Sequence, residues 1–194
     1  MSKIITFGDS HSMFGWPKYI INHHIGPRLA YSFGRDKLKF LDLTQYDIDE
    51  GDHIIFCFGE IDCRCHVNKR HDNYTHNISN ILYNYVDAIE QNLVKLDKHV
   101  NVWLYNVVPP AIKGTFWENP DQPLIGTDAQ RKEYVQCFNK GLALHCILKG
   151  WKFFNIYDKY TNHNGMLNPE LSDGNVHIKD GKYIEEFIKT HKIN

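Results

Sequence analysis

Four short, nearly uninterrupted apolar runs divide the chain, and a stretch of helical character follows each one. Ile4-Ile5-Thr6-Phe7, His53-Ile54-Ile55-Phe56-Cys57-Phe58, Val102 to Val108 and Trp151 to Ile156 have the length of strands. A strand covered on both faces reads as a continuous hydrophobic run, because neither face meets water. Ile20 to Ile25, ending at Gly26-Pro27, supplies a fifth strand. Between them, Ile78, Ile81, Leu82, Tyr85, Ile89, Leu93 and Leu96 recur at spacings of three and four and predict one long helix over 74–98. Thr127-Asp128-Ala129-Gln130 reads as a capping box that opens a second helix. That helix carries Tyr134, Phe138, Leu142 and His145 or Cys146 inward, and Gly150 ends it. Ile184, Phe187 and Ile188 mark a C-terminal helix. The alternation implies an α/β fold: a mainly parallel, about five-stranded sheet with helices on both faces, all 194 residues forming one domain.

The connections are less regular. A first helix is predicted to finish over Trp16 to Asn22, and a short helical turn over Arg28 to Phe33 is closed by Gly34. Asp47 to Asp52 reads as a solvated acidic turn. Leu38 to Leu43 stays ambiguous.

Composition excludes several classes of function. A net charge of −1 gives no electrostatic footprint for nucleic acid or an anionic membrane. No apolar run is long enough to span a bilayer. Met1-Ser2-Lys3 leads straight into a strand, so a cytosolic location is expected. The five cysteines lack a Cys-x-x-Cys pair and read as thiols, with neither a metal site nor a cofactor expected.

Chemistry concentrates where strands end. The first strand runs into Gly8-Asp9-Ser10, which places a serine at the carboxyl edge of the sheet. Unpaired main-chain N–H groups there can stabilise negative charge. A serine nucleophile needs a base, and the base needs an orienting carboxylate. Asp173 and His177, on one segment after the last strand, can supply both.

With these blocks in order, the sequence resembles the SGNH hydrolases, also called the GDSL esterase/lipase family. Gly8-Asp9-Ser10 matches its first block, Gly26 its second, Gly59-Glu60-Ile61-Asp62 its third, and Asp173 with His177 its last. The resemblance implies a flavodoxin-like three-layer α/β/α sandwich and an esterase or acyl-transfer activity, with Ser10 as nucleophile and His177 as base. It also implies an oxyanion hole made by the N–H groups of Ser10 and Gly26. Two departures mark a divergent branch. The third block ordinarily carries an asparagine where Ile61 stands, and losing one oxyanion donor costs about 3 kcal/mol. Arg64, with His66 behind it, is the candidate replacement. The last block ordinarily reads Asp-x-x-His, whereas Gly174-Asn175-Val176 inserts one residue more.

The expected substrate is a small-molecule or glycan O-acyl ester, first of all an O-acetylated sugar. An O-acyltransferase using the same triad and an inactive carbohydrate-binding member of the fold are the alternatives. Asp9, His11, Glu60, Asp62, His66, Phe116 and Trp117 are expected to line the substrate pocket. Of these, Glu60 and Asp62 are expected to pair with Arg64, and Phe116 and Trp117 to lie on a long irregular loop over 111–126.

Overall fold

The computed structural model describes residues 2–116 and 118–193. Trp117 therefore lies outside the described residues. Five strands form one sheet: β1 (Ile4–Gly8), β2 (Ile21–His24), β3 (His53–Cys57), β4 (Asn101–Tyr105) and β5 (Lys152–Phe154). Their spatial order is β2-β1-β3-β4-β5, and every neighbouring pair is parallel. This is the flavodoxin-like order, whose chain reversal at β1 and β3 opens a crevice at the carboxyl edge. Register sets Gly8 beside His24 on one side and Cys57 on the other.

The apolar runs behave as their composition predicts. β1 and β3 are buried along their whole length. Ile5, Phe7, Ile54 and Phe56 face a layer of three helices: α1 (Ala30–Asp36), α2 (Tyr74–Leu96) and α3 (Asp128–Lys149). Ile4, Ile55, Trp103 and Phe154 face the opposite layer, built from Trp16, Ile178 and α4 (Lys182–Thr190). On α2 the stripe buries Ile78, Leu82, Tyr85, Ile89 and Leu96. The capping box of α3 is formed in both directions: Gln130 N donates to Thr127 Oγ1 at 3.2 Å, and Thr127 N donates to Gln130 Oε1 at 2.9 Å. Cys146, not His145, turns inward. Among the described residues, no helix is long and apolar enough to cross a membrane.

Three local expectations are corrected. No helix spans Trp16 to Asn22: after a single turn at Ser10–Ser12 the chain runs irregularly to β2. Gly15 at φ 78° and Pro17 break helical geometry there. β2 is an edge strand, mostly exposed, which is why its sequence carries Asn22, His23 and His24. The acidic turn is not merely solvated. Asp52 is buried and accepts the main-chain N–H groups of Lys3 at 2.7 Å and Asp49 at 2.8 Å, while Lys3 Nζ pairs with Asp47 and Asp49. Gly34 does not close a turn. It sits inside α1, where a side chain would stand 2.8 Å from the Asn84 backbone of α2.

Gly34 thus permits the close crossing of α1 and α2. Replacing a helical glycine by alanine ordinarily stabilises by about 0.5–1 kcal/mol. Here Gly34→Ala is expected to destabilise by about 1–3 kcal/mol, because backbone rather than a flexible side chain must move. Urea unfolding of the two proteins gives the sign.

Candidate active site

The site begins with a close contact. A Cβ on Gly8 would stand 2.2 Å from the Cys57 carbonyl oxygen, so only glycine lets β1 and β3 approach there. Asp9 N then donates to Cys57 O at 3.3 Å, and the chain leaves the sheet. Asp9 caps the turn that follows, with Oδ1 accepting the His11 main-chain N–H at 2.9 Å. Ser10 stands at the head of that turn.

From the other end of the chain, His177 reaches Ser10. Its Nε2 lies 2.8 Å from Ser10 Oγ across 167 positions of sequence. Its Nδ1 lies 2.8 Å from Asp173 Oδ2. A carboxylate only accepts, so Nδ1 carries the hydrogen and Nε2 is left to accept from the Ser10 hydroxyl. The extra residue of the last block is absorbed in a closed loop. Asp173 N donates to His177 O at 3.1 Å, His177 N donates to Asp173 Oδ1 at 3.3 Å, and Gly174 takes φ 87°.

Two rings flank the His177 imidazole. Phe14 stacks on it with ring centroids 4.1 Å apart, a contact the sequence did not signal. The His11 ring lies 5.0 Å away on a tilted plane. Burial lowers the proton affinity of His177, the charge of His11 lowers it further, and the two outweigh Asp173 and Glu60, so its pKa falls below the ordinary 6.5.

Beside Ser10, Gly26 holds φ 101° just beyond β2, tied by Ile25 N donating to Gly8 O at 2.8 Å. Asp62, fully buried, accepts the N–H groups of Ala30 at 2.8 Å and Tyr31 at 3.1 Å. It therefore caps α1 from outside and fixes the segment that follows Gly26. Asp62 does not pair with Arg64, as expected of it; burial pushes its carboxyl up to about 7 against the pull of those two donors. Ile61 is buried and offers no donor. Arg64 turns to Glu60, with Nε donating to Oε1 at 2.7 Å, and to the main chain and side chain of Gln122. Its Nε, Nη1 and Nη2 thus all find protein acceptors, which directs it toward the 111–126 loop rather than toward Ser10. Burial would raise the Glu60 carboxyl, but Arg64 and His11 overturn that and hold it below its ordinary value.

The expected pocket residues divide. Asp9, His11 and Glu60 are buried and line only a small cavity of about 10 Å³. Both nitrogens of His11, Asp9 Oδ1 and Glu60 Oε1 have partners within the protein, whereas Asp9 Oδ2 and Glu60 Oε2 are buried without a hydrogen-bond partner among the described residues. Asp62 and His66 edge a cleft of about 390 Å³ between α1 and α2, with Tyr31, Arg35, Asn80 and Asn84. The spacing of Asn77, Asn80 and Asn84 along one helix face was the available signal for this cleft. Phe116 is half-buried against Gly174 and Asn175, in a smaller cleft of about 80 Å³ beside the Asp173 loop.

No family model matches the sequence, and no curated protein matches it. Solved structures do. A GDSL-like lipase from Bacteroides thetaiotaomicron superposes with a TM-score of 0.66 at 17% identity, covering 98% of this chain and 87% of that one. Est24, a carbohydrate acetylesterase from Sinorhizobium meliloti, superposes at 0.61 with 14% identity over 100% of both chains. The aryl esterase of M. smegmatis superposes at 0.59 with 12% identity, over 98% of this chain and 99% of that one. At such identities the likeness shows a shared fold: this chain has the α/β sandwich of these hydrolases.

Asp62 gives the site a signature in stability. Its folded carboxyl near 7 lies above the ordinary 3.8 of an unfolded chain. The folded state therefore holds a proton the unfolded chain has released, and this contribution to stability is full below pH 4 and lost as pH rises through 7. Asp62→Asn is expected to remove that slope from a plot of Tm against pH. It should also cost about 1–2 kcal/mol, because the amide nitrogen of asparagine cannot accept the main-chain N–H that one of the two carboxyl oxygens holds.

Proposed function

We propose that this protein is a serine esterase that hydrolyses a small O-acyl ester through an acyl-enzyme on Ser10. The observation that carries the reading is the unbroken chain from Ser10 Oγ to His177 to Asp173, 2.8 Å at each link. Ser10 Oγ attacks the ester carbonyl carbon as its proton passes to His177 Nε2. The carbonyl oxygen takes the negative charge and is met by the main-chain N–H groups of Ser10 and Gly26. His177 then returns the proton to the departing alcohol oxygen, and the C–O bond breaks. Water repeats the sequence on the acyl-enzyme, releasing the acid and free Ser10. Asp173 holds the imidazole in the required tautomer throughout.

The clefts favour a short acyl group and a polar alcohol. About 80 Å³ beside Phe116 and Gly174 suits an acetyl-sized group. The larger cleft, with its carboxamides, Tyr31 and Arg35, suits a hydroxyl-rich leaving group such as a sugar. Likeness to a carbohydrate acetylesterase supports the same choice. Arg64 serves by tethering the 111–126 loop. With isoleucine at position 61, transition-state stabilisation rests on two main-chain donors.

Ser10→Ala is expected to lower hydrolysis of 4-nitrophenyl acetate by at least about a thousandfold and to abolish labelling by a fluorophosphonate probe. Labelling of the wild type without turnover would move the reading to acyl transfer onto a sugar acceptor. The absence of both would overturn the serine mechanism and favour a binding protein on this fold. Because His177 acts as a neutral base and its pKa is lowered, the acid limb of kcat/KM is expected below pH 6.5, with the plateau already reached at pH 7.5.

A further inference from the structure

His11 directly follows the nucleophile but faces away from it, into the protein. It is 6% exposed. Its Nδ1 lies 3.0 Å from Asp9 Oδ1, and its Nε2 lies 3.2 Å from the Val176 carbonyl oxygen. Both partners are acceptors. A neutral imidazole has one N–H, so one of these contacts would set two lone pairs against each other. An imidazolium donates to both. Asp9 Oδ1 also accepts the His11 main-chain N–H at 2.9 Å, so the same oxygen serves as acceptor to both the main chain and the ring of His11.

The two anchors of this ring flank the proposed reaction. Asp9 immediately precedes Ser10, and Val176 immediately precedes His177. The sequence separation between His11 and Val176 is 165 positions, so the ring ties together the two loops that bring nucleophile and base into contact. We propose that His11 is a positioning residue: a buried, doubly protonated strut that fixes the His177 loop against the Ser10 loop and keeps a positive charge behind the base. The proposal rests on the reading of Ser10 and His177 as nucleophile and base.

The charged groups that face the pair fit this arrangement, and Cys57 and Tyr105, which share a small cavity with His11, are kept neutral by burial. Asp9 faces His11 from the nucleophile turn, and Glu60 faces both imidazoles from the segment after β3, itself paired with Arg64. Asp173 faces His177 from its own loop. For His11, burial opposes the charge, but Asp9, Glu60 and the Val176 carbonyl outweigh it, and its pKa is raised. For His177 the same cation acts in the opposite direction. One imidazole thus stays charged at the pH where its neighbour stays neutral.

The experiment is a pH titration of the imidazole ¹⁵N shifts in the whole protein. In the wild type at pH 7.5, His11 is expected to show both nitrogens protonated, while His177 shows the neutral pattern. A neutral His11 at that pH would overturn the proposal, whether or not the protein hydrolyses any ester. The second arm uses His11→Gln, whose amide reaches toward Val176, and His11→Asn, whose amide reaches toward Asp9. Both delete the charge. In either variant the His177 midpoint, and with it the acid limb of kcat/KM for 4-nitrophenyl acetate, is expected to rise by about one pH unit. A loss of activity equal at every pH, with the midpoint unmoved, would reduce His11 to packing and sink the proposal. Should neither variant fold, the wild-type titration alone decides. Turnover bears on the reading of Ser10, whereas the ¹⁵N pattern bears on His11, so the two fail separately.

Discussion

The arrangement of the whole edge depends on how closely the ends of β1 and β3 can lie together. Gly8 has no side chain to hold the strands apart, so the backbone of β1 rests against the Cys57 carbonyl. The last ladder contact, from Asp9 N to Cys57 O, forms only because of that approach. The chain is then free to turn off the sheet within a single residue, and Asp9 caps the turn it has just entered. Ser10 is raised clear of the sheet while Asp9 and His11 fold beneath it. A methyl group at position 8 would displace all three.

Charge at this edge is handled by burial in matched sets. Glu60 is paired with Arg64, and Asp9 with His11. Asp62 has no cation and relies on two backbone donors, which explains why its proton is held so much more firmly than that of Glu60. A buried carboxylate that lacks a counter-charge gives up part of its ionisation instead. Each set also joins two segments distant in sequence: Asp62 holds the start of α1, and Arg64 holds Gln122.

Much of this was legible in the residues themselves. β1 and β3 were visible because strands covered on both sides must be apolar throughout. α2 and α3 were visible because a stripe and a reciprocal cap are local patterns. Ser10, Asp173 and His177 were singled out by residue type at strand ends, and the structure brings them within hydrogen-bond reach. What escaped was decided by partners far away in sequence. Nothing in Asp47 to Asp52 announces Lys3 as its counterpart, and nothing in His11 announces Val176. Gly34 looked like a stop because its reason for being glycine lies in α2. Arg64 looked free to serve the oxyanion because Gln122 is separated from it by 58 positions.

The loop bearing His177 belongs to no sheet or helix. It is pinned by an isolated bridge between Ser172 and Ile178, a bond from Lys179 N to Leu171 O, and the His11 contact to Val176. The strands behind it are held by continuous ladders and two apolar layers. Segments so unequally fastened open independently, the weaker at far lower free-energy cost than global unfolding. Reversible detachment of this loop would separate His177 from Ser10 while the sandwich stays intact. Opening of the Ser10–His177 contact and melting of the sandwich are therefore expected to be distinct events, the first set chiefly by bonds at one edge and the second by the core.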